Sequence, residues 1–119
     1  MAASTKFIVS CEDDEAYKAV VMTAPKNTLC VVDVYCEWCG PCDALQRKQQ
    51  ILYSDMADFD IRFVQAASDT IESLAEFAEP ARSKPLFLFV KGGSQVGKID
   101  GADPVELAKL VTKFASKKE

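Results

Sequence analysis

Three cysteines stand at a strict three-residue spacing in the stretch CEWCGPC, residues 36–42. Thiols at this spacing could open an iron–sulfur site, form half of a zinc site, or supply a redox dithiol with one thiol to spare. The bacterial iron–sulfur pattern needs a fourth cysteine where the chain has Gln46. Structural zinc sites take four ligands, usually as two pairs, but the chain has no histidine and its other cysteines, Cys11 and Cys30, stand alone. We therefore expect no metal and no other cofactor.

The pair Cys39 and Cys42 lies between a run of strand-forming residues and an expected helix start, a context in which C-x-x-C is typical of a redox dithiol. Thiolate is the reactive form, and a helix N-terminus stabilises negative charge. We expect Cys39 to be the exposed nucleophile and Cys42, one turn further on, to be the buried resolving thiol. Gly40 lets the turn pass close to a substrate, and Pro41 fixes the backbone of the first helical turn. Such a pair can attack a protein disulfide through Cys39 and release the product when Cys42 attacks the mixed disulfide.

The elements that must position this dithiol follow from the apolar pattern. The pattern predicts strands over residues 6–9, 29–35, 61–67, 86–90 and 95–100, with Gly92-Gly93-Ser94 turning the fourth strand into the fifth as a hairpin. It also predicts a long helix from Pro41 and a second amphipathic helical segment over about 71–79. The buried stripe of the long helix is marked by Leu45, Leu52, Met56 and Phe59. Ser10 with Asp13 resembles a capping box for the first helix, which Pro25 ends. Asp103 with Pro104 is a strong start for the last helix. The order βαβαβα followed by ββα predicts one α/β domain over residues 1–119, with a mixed sheet and helices on both faces.

Length and charge narrow the class of function. The chain has 119 residues and a formal net charge of -4, which argues against a nucleic-acid footprint and against a membrane-surface patch. No apolar run approaches the ~18 residues of a membrane span, and the run Phe7–Val9 is too short for a signal-peptide core. We therefore expect a cytoplasmic protein, where structural disulfides are rare and closely spaced cysteines are more often catalytic or metal-binding.

Three segments together resemble the thioredoxin family over nearly the whole chain: WCGPC at 38–42 after the strand VVDVY, KPLFLF at 84–89 and IDGA at 99–102. WCGPC is a far more specific motif than a bare C-x-x-C. The resemblance implies a thioredoxin fold and reduction of protein disulfides, with a thioredoxin reductase as electron donor. It also implies that Trp38 covers the dithiol, that Pro85 is a cis proline facing it, and that Gly101 helps to line the substrate groove.

Asp33 interrupts the apolar strand 29–35, where an isolated carboxylate is costly unless it is protonated or partnered. Because the chain has no histidine, a buried carboxyl is the natural proton acceptor for the resolving thiol, and the thioredoxin family places an aspartate here in that role. The alternative is a carboxyl at the strand end turned to solvent. Gln65 stands where the family commonly has a lysine near this aspartate, which leaves the tuning of Asp33 open.

The remaining cysteines are expected to be packing residues, since free cysteine is commonly buried as a small hydrophobe. This applies to Cys11 and Cys30. For Cys36 a second interpretation stays open, in which it is a regulatory thiol that pairs with Cys39 under oxidation.

Two departures from the family bear on partners. The residue before the expected cis proline is Lys84 and the residue before Gly101 is Asp100, where thioredoxins typically have apolar side chains. These opposite charges either form a solvated pair or select substrates by charge. The segments SKPLFLFVKGGSQVGKIDGA and VVDVYCEWCGPC are more similar to the thioredoxin-like light chains of axonemal outer-arm dynein. Two interpretations therefore stay open: a redox-active light chain bound to a dynein heavy chain in the axoneme, or a freely diffusing cytosolic reductase of protein disulfides.

Overall fold

The structure, a computed structural model, describes residues 7–35, 45–77, 86–101 and 103–118. Within these ranges the strands are β1 Ile8–Cys11, β2 Leu29–Tyr35, β3 Ile61–Ala67, β4 Leu86–Lys91 and β5 Ser94–Asp100. The helical elements are α1 Asp14–Tyr17, which continues as a π-helical turn Lys18–Met22, then α2 Gln46–Asp55, a 3-10 helix Glu72–Phe77 and α3 Pro104–Phe114. None of the described helices is long and apolar enough to cross a membrane.

The strands form a five-stranded mixed sheet in the order β1-β3-β2-β4-β5. β3 runs parallel to both β1 and β2, whereas β4 pairs antiparallel with β2 and with β5. Every residue of β2 from Leu29 to Val34 is buried, as expected for a central strand covered on both faces. The predicted mixed sheet is confirmed.

Each face of the sheet carries its own apolar cluster. On one face, Tyr17 and Val21 of the first helical segment pack with Leu74 of the 3-10 helix over alternate residues of β2 and β4. On the other face, Leu52 of α2 and Leu107 of α3 pack in a cluster that includes these strand residues: Leu29, Val31, Phe63, Phe87, Phe89 and Ile99. Successive strand residues point to opposite faces, so one strand serves both layers. Helices therefore lie on both faces, as predicted.

The predicted bounds of β2 and β3 are confirmed, but the capping box at Ser10 is wrong. Ser10 lies inside β1, where it pairs with Gln65 of β3. The N-cap of α1 is Asp13, whose Oδ1 accepts a hydrogen bond from the backbone N–H of Ala16 at 2.8 Å. Pairing with a strand more than fifty residues away therefore extends β1 past the residue that local capping rules selected. The helical segment ends at Met22, before the predicted end at Pro25.

Turn and cap predictions later in the chain are confirmed. Gly92 and Gly93 have φ values of 61° and 78°, which lets a two-residue loop join Lys91 to Ser94 in a β-hairpin. Asp103 caps α3, its Oδ1 accepting a hydrogen bond from the N–H of Glu106 at 3.0 Å. The segment 71–79, predicted to be helical, forms a 3-10 helix over Glu72–Phe77 rather than an α-helix.

Asp14 ties the first helix to the 3-10 helix. Its Oδ1 accepts hydrogen bonds from the backbone N–H of Ser73 at 2.8 Å and from the Ser73 hydroxyl at 2.6 Å. Its Oδ2 lies 3.0 Å from Nζ of Lys18. The hydrogen bonds from Ser73, followed by the Lys18 ammonium, lower the pKa of Asp14 to about 2. The charged form of this carboxylate is therefore the one that the folded state stabilises.

The sign of this pKa change predicts how acid acts on the protein. A group with a lowered folded-state pKa stabilises the fold above its unfolded pKa, and the contribution is lost as pH falls through the folded value. We expect Asp14→Asn to destabilise the protein at about pH 7, and the difference from wild type to shrink between about pH 5 and pH 2. Denaturant unfolding at a series of pH values measures this, with Glu15→Gln, an exposed carboxyl on the same turn, as the control. A stability difference that does not change with pH would contradict it.

Candidate active site at the carboxyl edge of the sheet

Three segments that carry predicted site residues adjoin one edge of the sheet. β2 ends at Tyr35 at this edge, β4 begins there at Leu86, and β5 ends there at Asp100. Val34 pairs with Leu86, which in turn pairs with Asp100, so the three strand ends are held side by side. The dithiol segment follows β2 in the sequence and the expected cis proline directly precedes β4. The described strand ends that border both segments therefore lie at the same edge of the sheet.

Most of the predicted site residues lie outside the described ranges, so the predictions about them stay predictions. These residues are Cys36, Trp38, Cys39, Gly40, Pro41, Cys42, Lys84 and Pro85.

Asp33 is described, and it is buried with 1% of its surface exposed. It lies on β2 two residues before the strand ends, between Gln65 of β3 and Phe87 of β4 in the pairing register. The alternative of a carboxyl turned to solvent is therefore wrong. The neighbouring position on β3 holds the neutral amide of Gln65, as the sequence indicated, so no ammonium group stands at that register position. The predicted role of Asp33 as the proton acceptor for the resolving thiol stays a prediction.

The end of β3 is fastened to the end of β2 by Ser68, a residue that the sequence analysis missed. Its backbone N–H and its hydroxyl both donate to the carbonyl oxygen of Tyr35, at 2.7 Å and 3.1 Å. Ser68 is 2% exposed. A hydroxyl directly after a predicted strand is the signal that could have found it, because serine commonly bonds to nearby backbone at element ends. The carbonyl that it holds belongs to the last residue before the CEWCGPC segment.

Gly101, which follows β5, has a φ of 118°, a conformation that residues with a side chain rarely adopt. A Cβ built at this position would meet no heavy atom within 4 Å. The glycine is therefore needed for its backbone conformation and leaves open space beside the strand end. Its predicted role in lining a groove stays a prediction. Asp100, which precedes it, is exposed.

Cys11 and Cys30 are both fully buried, in agreement with their predicted packing role. Burial raises the pKa of Cys11, with a smaller contribution from the Asp13 carboxylate. Burial also raises the pKa of Cys30 to about 11, against an opposing effect of Arg62. The Cys30 thiol lies 3.8 Å from the carbonyl oxygen of Val20, to which it donates. Both thiols are therefore protonated and shielded at neutral pH.

This environment predicts selective thiol labelling. In native protein at about pH 8, we expect iodoacetamide to label the CEWCGPC segment while Cys11 and Cys30 stay unmodified. Only about 0.1% of a thiol with the raised pKa of Cys30 is ionised at that pH, so its labelling should be slower by roughly 100-fold or more. Peptide mass spectrometry after timed labelling measures this, and denatured protein, in which all five cysteines react, is the control. Equal labelling of Cys30 and the segment would contradict the packing role.

Gln49 of α2 is the second buried polar residue that the sequence analysis missed, at 0% exposure. It lies four residues after Leu45 and three before Leu52, on the stripe of α2 that packs against the sheet. An amide inside an apolar stripe with helical spacing is the signal that could have found it.

Comparisons with known proteins agree with this architecture. A family model described as thioredoxin matches residues 8–113. The chain is 38% identical over 111 residues to the flagellar outer-arm dynein 14 kDa light chain of Chlamydomonas reinhardtii, covering 93% of this chain and 84% of that one. It is 36% identical over 90 residues to thioredoxin domain-containing protein 6 of Xenopus laevis, covering 75% of this chain but 14% of that longer protein.

Solved structures show the same fold. Thioredoxin NaTrxh from Nicotiana alata superposes with a TM-score of 0.74 at 25% identity, covering 98% of this chain and 99% of that one. Oxidised mitochondrial thioredoxin 3 from Saccharomyces cerevisiae gives a TM-score of 0.67 at 29% identity, with 89% and 94% covered. The family match over residues 8–113, the 38% identical relative and the shared α/β fold together show that the chain belongs to the thioredoxin family.

Proposed function

We propose that this protein is a thiol–disulfide oxidoreductase with a Cys39–Cys42 dithiol, and that it serves as a redox-active light chain of ciliary or flagellar outer-arm dynein. The observation that carries the catalytic part is the burial of Asp33 near the end of β2, six residues before Cys39. A carboxyl held in that place has no packing advantage over an apolar residue, whereas a resolving thiol needs a proton acceptor beside it.

The proposed reaction uses three side chains. The Cys39 thiolate attacks one sulfur of a protein disulfide, forms a mixed disulfide and expels the other substrate sulfur as a thiolate, which takes up a proton. The Asp33 carboxylate then accepts the proton of the Cys42 thiol. The resulting Cys42 thiolate attacks the Cys39 sulfur, closes the Cys39–Cys42 bridge and expels the second substrate sulfur as a thiolate, which takes up a proton. The substrate gains two electrons that the dithiol loses, and a thioredoxin reductase restores the dithiol.

Substrate would lie beside the dithiol in a groove bordered by residues from the three adjoining connections. We assign Trp38, Pro85 and Gly101 to its apolar floor, and Lys84 and Asp100 to its rim. The support is the side-by-side arrangement of the ends of β2, β4 and β5, together with the open space beside Gly101.

The dynein part of the proposal is supported by the match to the Chlamydomonas light chain, which extends over 93% of this chain and 84% of that protein. The second candidate is a freely diffusing cytosolic thioredoxin that reduces many proteins. It is supported by the thioredoxin NaTrxh, whose whole chain is covered by the same fold. Both candidates share the chemistry, so they differ in where the protein is held.

Two measurements test the proposal. An insulin-reduction assay with a thioredoxin reductase and NADPH should show turnover by wild type and none by Cys39→Ser, and an inactive wild type would refute the catalytic part. The light-chain part predicts that native protein sediments with isolated axonemes and is released together with dynein by salt. Protein that stays in the soluble fraction would favour the freely diffusing thioredoxin.

A further prediction concerns the charged rim. Lys84→Ile with Asp100→Val should broaden the set of proteins trapped on a Cys42→Ser background and weaken association with a dynein heavy chain. Rim charges steer encounter and penalise mismatched partners more than they raise affinity. Mass spectrometry of the trapped proteins and a dynein pull-down measure the two effects. Identical trapped sets and unchanged dynein binding would contradict selection by charge.

A further inference from the structure

The amide of the Gln49 side chain is buried without a hydrogen bond to the described residues. It is 0% exposed, and neither Nε2 nor Oε1 of its amide has a hydrogen-bond partner among the described residues. Two other buried polar side chains differ in this respect: the Thr28 hydroxyl donates to Asp60 at 2.9 Å, and the Ser68 hydroxyl donates to the carbonyl oxygen of Tyr35. Gln49 is therefore an exception that needs a physical explanation.

A buried amide that lacks partners opposes folding, whereas a leucine would fill the same stripe of α2 without that penalty. Polar groups that break the local pattern in this way are concentrated at functional sites. Buried amides without a protein partner are commonly satisfied by an ordered water, which itself needs two to four polar partners. The polar groups that share the layer of Gln49 therefore decide what such a water can bind.

Gln49 and Asp33 face the same layer between the sheet and α2. The residues that flank Gln49 on its stripe, Leu45 and Leu52, belong to the same apolar cluster as Val31 of β2. Asp33 follows Val31 by two residues, so its side chain points to the same face of the sheet. A buried carboxyl and a buried amide thus lie in the layer that this apolar cluster fills.

The two register partners of Asp33 in the described sheet, Gln65 on β3 and Phe87 on β4, do not titrate. The dithiol cysteines, which lie outside the described residues, are the titratable groups that the proposed reaction adds. An N–H donor in this layer would favour the charged form of the carboxyl, which burial alone disfavours.

We propose that Gln49 is a positioning residue for Asp33, whose amide N–H stabilises the Asp33 carboxylate through one ordered water shared by the two side chains. The water donates to the carboxylate and accepts from the amide. This arrangement keeps Asp33 in the proton-accepting form at the pH at which Cys42 must lose its proton. The inference rests on the proposed role of Asp33 in disulfide reduction.

Two substitutions that remove the amide and keep the volume test this assignment, Gln49→Met and Gln49→Leu. The Asp33 carboxyl is titrated by NMR in reduced protein labelled with carboxyl-¹³C aspartate. We expect its midpoint to move upward by about one pH unit, a tenfold change in the protonation equilibrium. Thermal unfolding should show that both variants stay folded, since methionine and leucine keep the volume of the buried side chain. Gln50→Met, at the half-exposed neighbouring position, is the control and should leave the Asp33 titration unchanged.

The functional readout is the pH profile of the resolving step. The rate at which the mixed disulfide is released should move to higher pH in Gln49→Met, and Gln49→Met should have no such effect on an Asp33→Asn background. An unchanged Asp33 midpoint in both folded Gln49 variants would overturn the inference, as would an equal pH shift without the Asp33 carboxyl. If wild type fails to reduce disulfides, the proposed function fails, and the NMR titration still decides the role of Gln49.

Discussion

Cys42→Ser is expected to accumulate a mixed disulfide between Cys39 and a protein substrate, whereas Cys39→Ser is expected to lose disulfide reduction. Release of the first product requires a second thiolate, and a serine hydroxyl cannot supply it, so the reaction stops at the mixed disulfide. Removal of the attacking thiol leaves no group that can begin the reaction. We expect a loss in turnover on the order of 10³-fold or more for Cys39→Ser, because deletion of a nucleophile is among the costliest active-site changes.

Non-reducing electrophoresis and peptide mass spectrometry of the trapped species identify the attached cysteine. Cys36→Ser is the matched control, since it removes the spare thiol of the same segment and should keep insulin reduction without trapping any partner. Partners attached to Cys36 rather than Cys39 would show that the nucleophile is wrongly assigned. After mild peroxide, a Cys39–Cys42 bridge alone would indicate that Cys36 is a packing residue. A Cys36–Cys39 bridge would support its regulatory role.

Asp33→Asn is expected to slow turnover by roughly 10²-fold while alkylation of Cys39 stays largely intact. The substitution keeps the shape of a side chain that is 1% exposed and removes its ability to accept a proton. General acid–base groups typically contribute about 10²–10⁴-fold, and the proton in question belongs to the resolving step, which follows the attack by Cys39. The expected defect is therefore in release of the mixed disulfide, with its formation spared.

Rapid-mixing kinetics of the two steps measure this difference directly. Asp55→Asn, at an exposed position at the end of α2, is the matched control and should change neither rate. The free energy of unfolding of Asp33→Asn at neutral pH should equal or exceed that of wild type, because burial of an ionised carboxyl is unfavourable. Unchanged turnover in the insulin assay would remove Asp33 from the proposed mechanism.

Local pattern predicted the elements whose signals are short-range. The apolar run of β2, the paired glycines of the β4–β5 hairpin and the Asp103–Pro104 start of α3 each depend on residues only a few positions apart. Propensity, turn geometry and capping act over that range, so these predictions were confirmed. The predicted cap at Ser10 was wrong because pairing with Gln65 extended β1 through it.

The sequence by itself determined the family and the fold class, and it predicted the kind of chemistry from WCGPC, the absence of histidine and an aspartate in an apolar strand. Only the tertiary structure decided which side chains share a layer. It buried Asp33 beside Gln65 and placed Gln49 of α2 over the same face of the sheet. It also joined Asp14 to Ser73 by hydrogen bonds across 59 positions of sequence. The reason is physical: contacts between distant residues form only when loops close and apolar faces pack, and no local pattern of residues encodes that outcome.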